Sequence, residues 1–190
     1  MLSCSLEKDR IGIQPYGDID QFVIDSVSQI LEQNYGAQII VLSSRNLPES
    51  AFVNIKSPRY RADSLLIDLK NSIPDSIDYI IGITNSDIST TKRDEKRNVK
   101  EPVSKYLDWG IFGLGYRPGK ACIISTYRIK NSNRQLFISR LQKISVHEIG
   151  HNHDLKHCKT ALCVMQDAAE TIKTVDGVGF NLCESCQSDI

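Results

Sequence analysis

The stretch HEIGHNHDLKHC (His147–Cys158) contains all four histidines of this 190-residue chain and ends in a cysteine. His147 and His151 are four residues apart, so on a helix their imidazoles project from one face, a turn apart. That separation lets both rings reach a single Zn²⁺. His157 can supply a third nitrogen only if the chain turns sharply after the helix. The spacing therefore predicts a helix that ends in a three-histidine metal site.

Glu148 follows the first of these histidines and is suited to act on a water molecule. Three histidines leave the fourth position of a zinc ion open for water, and a neighbouring carboxylate can accept the proton of that water as a general base. His153 lies about 200° around the helix from His151, so we expect it at the surface or supporting a ligand, and not on the same metal. The alternative, a run of surface histidines, does not account for the ligand-like spacing.

Cysteines are concentrated after the histidines. Four of the six lie in the last 33 residues, at Cys158, Cys163, Cys183 and Cys186. Four thiolates with this spacing suit a closed, structural zinc site, which would stabilise a tail too short to bury a core of its own. Because Cys158 directly follows His157, we expect the two metal sites to be mechanically coupled. Cys4 and Cys122 stand apart, and Cys122 is predicted to be a small buried hydrophobe in a strand.

Taken together, residues His147–Cys186 resemble the signature of the archaemetzincins, a metzincin-like family of metallopeptidases. That signature joins HExxHxxGxxH to an immediately following cysteine and then to x4-C-x-M-x17-C-x-x-C. The resemblance implies an α/β fold (α+β in some schemes), with a mixed twisted sheet, an active-site helix and a small zinc-stapled C-terminal subdomain. It implies peptide-bond hydrolysis with Glu148 as general base. Met165 would form the Met-turn, an apolar floor beneath the imidazoles.

The same resemblance implies two zinc ions per chain. The catalytic zinc is expected on His147, His151 and His157. The structural zinc is expected on the four clustered cysteines, Cys158, Cys163, Cys183 and Cys186.

The chain departs from the signature at Asp154, where the family has glycine. Glycine there allows a positive φ and a sharp turn, and aspartate tolerates the same conformation at a cost of roughly 1–2 kcal/mol. Asp154 either replaces the glycine in that conformation or changes the turn, in which case His157 would bind loosely. Its carboxylate could also orient a ligand histidine.

Upstream, strand and helix patterns alternate. IGIQPYGD is predicted to be a strand, DIDQFVIDSVSQILEQNYG a helix closed by Gly36, and AQIIVLSS a central strand buried on both faces. YRADSLLIDLKNSI follows as a helix and DYIIGITNSDIS as a buried strand. This order is typical of right-handed crossovers over a mostly parallel sheet. The charged run 90–101 is predicted to be a solvated loop.

The segment DWGIFGLGYRPGKACIISTYRI predicts two short strands around a turn at Pro118–Gly119. Gly110, Gly113 and Gly115 would let another backbone approach, as at a sheet edge that receives a peptide; alternatively, they serve bends. NSNRQLFISRLQKISVHEIGHNH predicts the helix that carries the histidines, with an apolar stripe running into them.

The composition limits the possible partners. Hydrophobic content of 41% and charged content of 24% are those of a globular protein, and zero formal net charge argues against a nucleic-acid or anionic-membrane partner. No apolar run approaches the roughly 20 residues of a membrane span. The N-terminus lacks the apolar core of a secretory signal, so we expect a cytoplasmic location. We also expect a monomer.

Two subdomains are expected. Residues 1–157 would form an α/β unit that ends with the active-site helix and the third zinc ligand. Residues 158–190 would form a small unit with the four-cysteine zinc site and the Met-turn.

The leading functional hypothesis is a zinc-dependent metallopeptidase acting on a peptide or protein substrate. The alternative is a non-catalytic, zinc-stabilised peptide-binding or scaffold protein on the same fold. A purely structural zinc module ranks last, since it needs no open coordination position.

Overall fold

A computed structural model describes residues 8–167 and 171–190, and within these ranges the chain forms nine strands in two sheets together with six α-helices and one short 3-10 helix at Glu49–Ala51. The strands are β1 Arg10–Tyr16, β2 Gln38–Val41, β3 Phe52–Asn54, β4 Pro58–Arg61, β5 Tyr79–Thr84, β6 Ile88–Thr90, β7 Trp109–Ile111, β8 Gly113–Gly115 and β9 Ala121–Ser125. The helices are α1 Gln21–Tyr35, α2 Ala62–Ser72, α3 Val103–Tyr106, α4 Arg134–Asn152, α5 Ile172–Gly177 and α6 Glu184–Ser188. The predicted mixed α/β class is confirmed.

The larger sheet has the order β2-β1-β5-β9-β8. Its first four strands run parallel, and β8 runs antiparallel to β9 at the far edge. The smaller sheet has the order β3-β4-β6-β7, so β7 and β8 are edge strands of different sheets although one residue separates them. The mostly parallel order predicted for the first strands is confirmed.

Helices cover both faces of the larger sheet. Side chains that alternate along the central strands divide into two cores, because successive residues of a strand point to opposite faces. One core joins Ile13 and Ile81 to helices α1 and α4, and it includes residues of the C-terminal segment such as Met165. The other core joins Ile80 and Ile123 to helix α2. As predicted, α1 ends at Gly36, whose φ of 61° permits the left-handed cap.

The position predicted for AQIIVLSS is wrong. It forms β2, which among the described strands pairs only with β1 and is therefore an edge strand. Ile39 packs against one core and Ile40 against the other, so both faces are partly covered. A continuous apolar run is compatible with both positions.

The region around the predicted hairpin contains three strands instead of two. β8 and β9 form the expected hairpin, but β7 pairs with β6 in the other sheet because the chain bends at Phe112. Most residues of the run 90–101 are exposed, as predicted.

Helix α4 is held to the C-terminal segment by two basic residues that lie off its apolar stripe. Arg140 and Lys143 are only 9% and 6% exposed. Arg140 donates two hydrogen bonds of 2.7 Å to the carboxylate of Asp176, and Lys143 donates to the carbonyl oxygens of Val175 and Asp176.

The division into two subdomains between residues 157 and 158 stays a prediction. Cys4 lies outside the described residues, and among the described helices none is long and apolar enough to cross a membrane.

Candidate metal centre

Helix α4 carries the predicted histidines to the floor of a cleft. Its N-terminus is capped by Asn133, whose Oδ1 accepts a hydrogen bond from the backbone N–H of Leu136. Leu141 and Ile144 then anchor the helix in the core. One to two turns beyond Ile144, His147, Glu148 and His151 line a cleft of roughly 730 Å³, together with His157.

The three predicted ligand histidines come together. Their ring centroids are 4.6 Å apart for His147 and His151, 5.3 Å for His147 and His157, and 5.1 Å for His151 and His157. One nitrogen from each ring lies within 4.8 Å of the corresponding nitrogens of the other two. His157 reaches the group from outside the helix and is the most open of the three, with 44% of its side chain exposed.

Backbone carbonyls fix the orientation of two of these rings. His147 Nδ1 lies 2.9 Å from the carbonyl oxygen of Val164, and His151 Nδ1 lies 2.8 Å from that of Leu155. Because a carbonyl oxygen can only accept, each Nδ1 carries the proton and each Nε2 keeps its lone pair for a metal. Burial lowers the pKa of His147 to about 4, helped by the neighbouring His151, and burial also lowers the pKa of His151. Both rings are therefore neutral, as ligation requires.

The turn that returns His157 to the site has the conformation expected of a glycine. Asp154 has a φ of 67°, and its backbone N–H donates to the carbonyl oxygen of His151. The carboxylate of Asp154 is exposed and lies 3.6 Å from Arg117, while the half-buried imidazoles of His147 and His151 hydrogen-bond to backbone carbonyls instead. The first alternative is therefore confirmed: Asp154 occupies the left-handed region, and the turn is preserved.

Glu148 is buried beside the three histidines, where it is only 7% exposed. Burial raises its pKa to about 8. Strand β8 fits around this side chain: a Cβ atom on Gly113 would lie 2.7 Å from Glu148 Oε1, and one on Gly115 would lie 2.8 Å from the carbonyl oxygen of Glu148. At Gly115 the predicted close approach of another backbone is confirmed, but that backbone is helix α4. The room that Gly113 leaves for the Glu148 side chain was not predicted.

The four clustered cysteines also come together, as a separate group. Their sulfur atoms lie within 4.8 Å of one another, with Sγ distances of 3.8 Å for Cys158–Cys183 and for Cys163–Cys186. All four are free thiols. A hydrogen bond from the backbone of Cys186 lowers the pKa of Cys183 to about 6. The donor set suits a tetrahedral sulfur-ligated metal.

One loop joins the two groups. The N–H of Cys158 donates to the carbonyl oxygen of Met165 at 2.8 Å, and this closes the loop 158–165. The carbonyl oxygen of Val164 in the same loop accepts from His147. Met165 is fully buried and packs against α4, where a Cβ on Gly150 would lie 2.5 Å from its Sδ.

The two remaining cysteine and histidine positions differ in outcome. Cys122 is buried in β9, as predicted. His153 does not belong to either metal-binding group of the described residues, which agrees with the prediction, but the expected surface position is wrong. Only 10% of its side chain is exposed, because the ring packs against those of Tyr35 and Tyr79 at 5.2 Å and 4.3 Å.

Several residues that shape the site could not be predicted from the motif. Asp167 Oδ2 lies 3.5 Å from His157 Nδ1, and the carbonyls of Val164 and Leu155 orient the other two rings. Backbone carbonyls have no signature in a sequence. Asp167 and Lys143 also line the cleft. In the sequence, only their closeness to the motif residues could have indicated that position.

A helix presenting two histidines and a buried glutamate, with a third histidine returned by a tight turn, defines a metal-dependent hydrolase. The chain belongs to peptidase family M54, whose model matches residues 9–190, a family of zinc metallopeptidases.

Relatives extend over nearly the whole chain. It is 31% identical to the archaemetzincin of Halobacterium salinarum, over 95% of this chain and 99% of that protein. It is also 31% identical to the archaemetzincin of Saccharolobus solfataricus, over 90% and 87% of the two chains. The crystal structure of archaemetzincin from Methanopyrus kandleri matches 99% of this chain and 96% of its own with a TM-score of 0.78 at 21% identity, which shows the shared fold.

Proposed function

We propose that the chain hydrolyses peptide bonds at the three-histidine site. His147, His151 and His157 would hold a catalytic zinc, and Glu148 would act as general base. The observation that carries this proposal is the convergence of three histidine nitrogens within 4.8 Å of one another beside the buried Glu148, in one open cleft. Cys158, Cys163, Cys183 and Cys186 would hold a second, structural zinc.

The chemistry divides between the metal and the protein. Zinc supplies Lewis acidity, which polarises the scissile carbonyl and lowers the pKa of the attacking water. Glu148 accepts a proton from that water and passes it to the nitrogen of the departing amine. Its pKa of about 8 belongs to the metal-free protein, and a nearby cation stabilises its charged form and lowers the pKa. The absence of side chains at Gly113 and Gly115 leaves room for this carboxylate on the side of β8.

The substrate peptide would lie along the edge strands. β8 is the last strand of the larger sheet and β7 the last of the smaller one, and residues of both line the cleft. An extended peptide can add its backbone hydrogen bonds to such an edge. The loop 158–165, with the buried Met165, would act as the Met-turn that supports the histidines.

Substituting Glu148→Gln tests the assignment of the base. Glutamine keeps the size of the side chain but cannot accept a proton. We expect unchanged zinc content and a fall in kcat of about 10²–10⁴-fold for a peptide substrate. Glu32→Gln, on the exposed face of α1, is the matched control and should leave kcat unchanged. Full activity in Glu148→Gln would contradict the mechanism.

The non-catalytic alternative loses its main support, because Asp154 preserves the turn. A scaffold protein would bind peptides with no hydrolysis sensitive to the Glu148→Gln substitution. The monomeric state and the cytoplasmic location stay predictions from the sequence.

A further inference from the structure

The cleft extends beyond the histidines along β7, and this end of it is basic and aromatic. We call it the basic arm: Lys56, Lys92, Lys105, Trp109 and Arg128, all of which line the cleft. The indole of Trp109 is its centre. Lys92 Nζ lies 4.5 Å from the Trp109 ring centroid, and Lys105 Nζ lies 5.3 Å from it.

Two lysines lie over this indole, and a third lies beside them in the cleft. Lys56 Nζ donates a 2.7 Å hydrogen bond to the backbone carbonyl oxygen of Lys105, and both residues line the cleft. Lys56 and Lys105 are exposed, and neither forms an ion pair with a carboxylate in the ranges 8–167 and 171–190. Like charges held together repel one another, so an anion that enters between them is favoured.

The arginines beside β7 are paired with buried carboxylates, so this part of the cleft is largely neutral. Arg128 donates hydrogen bonds of 2.6 Å and 2.7 Å to the two carboxylate oxygens of the buried Asp87. Its guanidinium fills the space beside Gly110, where a Cβ atom would collide with it. Arg59 is paired in turn with Asp87 and Asp108. Lys56 and Lys105 therefore carry positive charge that no carboxylate of the ranges 8–167 and 171–190 neutralises in an ion pair.

The number of residues between Trp109 and Gly113 limits the distance from the basic arm to Glu148. Gly113 contacts Glu148, and Trp109 precedes Gly113 by four residues. Four extended residues span at most about 14 Å. A peptide bound in extended form, at about 3.3 Å per residue, covers that distance with about four residues.

We propose that the basic arm selects peptide substrates that carry an acidic side chain within about four residues of the scissile bond. This inference rests on the proposed function, because it assigns a specificity to the same cleft. A carboxylate of the substrate would lie between the ammonium groups of Lys56 and Lys105, with its methylene groups against the Trp109 ring.

The test uses internally quenched peptides of otherwise identical sequence. Glutamate, glutamine or lysine is placed in turn at each of four positions on either side of the scissile bond, and kcat/KM is measured. With two exposed ion pairs, we expect the best glutamate peptide to exceed its lysine counterpart about five- to tenfold. The preference should weaken at high salt, because exposed charges are screened.

Charge reversal then assigns the preference to these lysines. The double variant Lys56→Glu/Lys105→Glu should favour the lysine peptide. The control Lys70→Glu/Lys96→Glu makes the same change in net charge at exposed positions that do not line the cleft, and it should keep the glutamate preference. If the reversed variant loses its thermal unfolding transition, Lys56→Gln/Lys105→Gln replaces it and should abolish the preference without reversing it.

The outcomes separate this inference from the proposed function. Hydrolysis that depends on Glu148 but shows no charge preference would overturn the basic arm and leave the peptidase mechanism intact. If no peptide is hydrolysed in a manner dependent on Glu148, the proposed function fails. The basic arm is then tested by measuring peptide binding through fluorescence anisotropy. The inference is supported if the wild type binds glutamate peptides more tightly than lysine peptides and the Lys56→Glu/Lys105→Glu variant loses this difference. It is overturned if the wild type binds both peptides equally.

Discussion

Substituting Gly113→Ala tests how closely strand β8 positions Glu148, the proposed general base. The added Cβ would lie 2.7 Å from Glu148 Oε1, 2.8 Å from its Cγ and 3.0 Å from its Cδ. Ordinary contact begins at about 3.4 Å, so the carboxylate must retreat by about 0.7 Å. Because a misplacement of about 1 Å can cost 10²-fold in rate, we expect kcat to fall about 10- to 100-fold.

The variant should remain folded, since the side chain of Glu148 can move away from the added methyl group. We expect the free energy of unfolding to change by less than about 1 kcal/mol and the zinc content to stay the same. Gly115→Ala should behave differently, because its Cβ meets the carbonyl oxygen of Glu148 at 2.8 Å and the helix backbone must shift. There we expect a loss of about 1–3 kcal/mol in stability.

The assay is steady-state hydrolysis of a quenched peptide, with urea unfolding and elemental analysis of the same samples. Gly177→Ala is the matched control, because its added Cβ meets no atom within 4 Å. A Gly113→Ala protein with the kcat of the wild type would refute the argument that β8 fixes the base.

Three further predictions concern the metals and the fold. His157→Ala should reduce zinc, measured by elemental analysis, from two ions per chain to one; an unchanged content would show that His157 is not a ligand. Asp154→Gly should raise the free energy of unfolding in urea by about 0.5–1 kcal/mol, because glycine adopts the φ of 67° without strain; a loss of stability would contradict this. Hydrogen bonds from Arg140 lower the pKa of Asp176 in the folded protein. The ionised carboxylate therefore contributes its full stabilisation of the fold above about pH 5, and this contribution decreases as the pH falls below the unfolded pKa of about 3.9. Asp176→Asn should therefore cost about 1 kcal/mol at pH 7 and progressively less below pH 4, measured as the difference from wild-type urea curves; an equal cost at pH 3 would exclude the ion pair as the cause.

The site was predictable where its geometry is local in sequence. His147 and His151 share a face of one helix because four residues make about one turn, and nothing distant is needed to place them. The turn at Asp154 was also foreseeable, because aspartate is among the few residues other than glycine that accept a positive φ. The helices α1 and α2 followed from apolar periodicity and from Gly36.

The failures concern contacts between distant parts of the chain. The apolar run of β2 gives no sign of how many strands flank it, so its edge position was missed. The role of Gly113 depends on Glu148, a glutamate 35 residues later in the sequence. The burial of Arg140 depends on its contact with Asp176 of α5. His153 was misplaced for the same reason, since Tyr35 and Tyr79 reach it from other elements.

The loop 158–165 contacts both metal-binding groups. Its cysteines belong to the sulfur group, and its Val164 carbonyl orients His147. Under the proposed two-zinc arrangement, this shared loop makes the two binding equilibria interdependent. Such coupling is reciprocal, so whatever affinity the sulfur-bound ion adds at the histidines, the histidine-bound ion returns to the cysteines. Positive coupling of this kind would lower the fraction of chains that hold a single ion, relative to two independent sites.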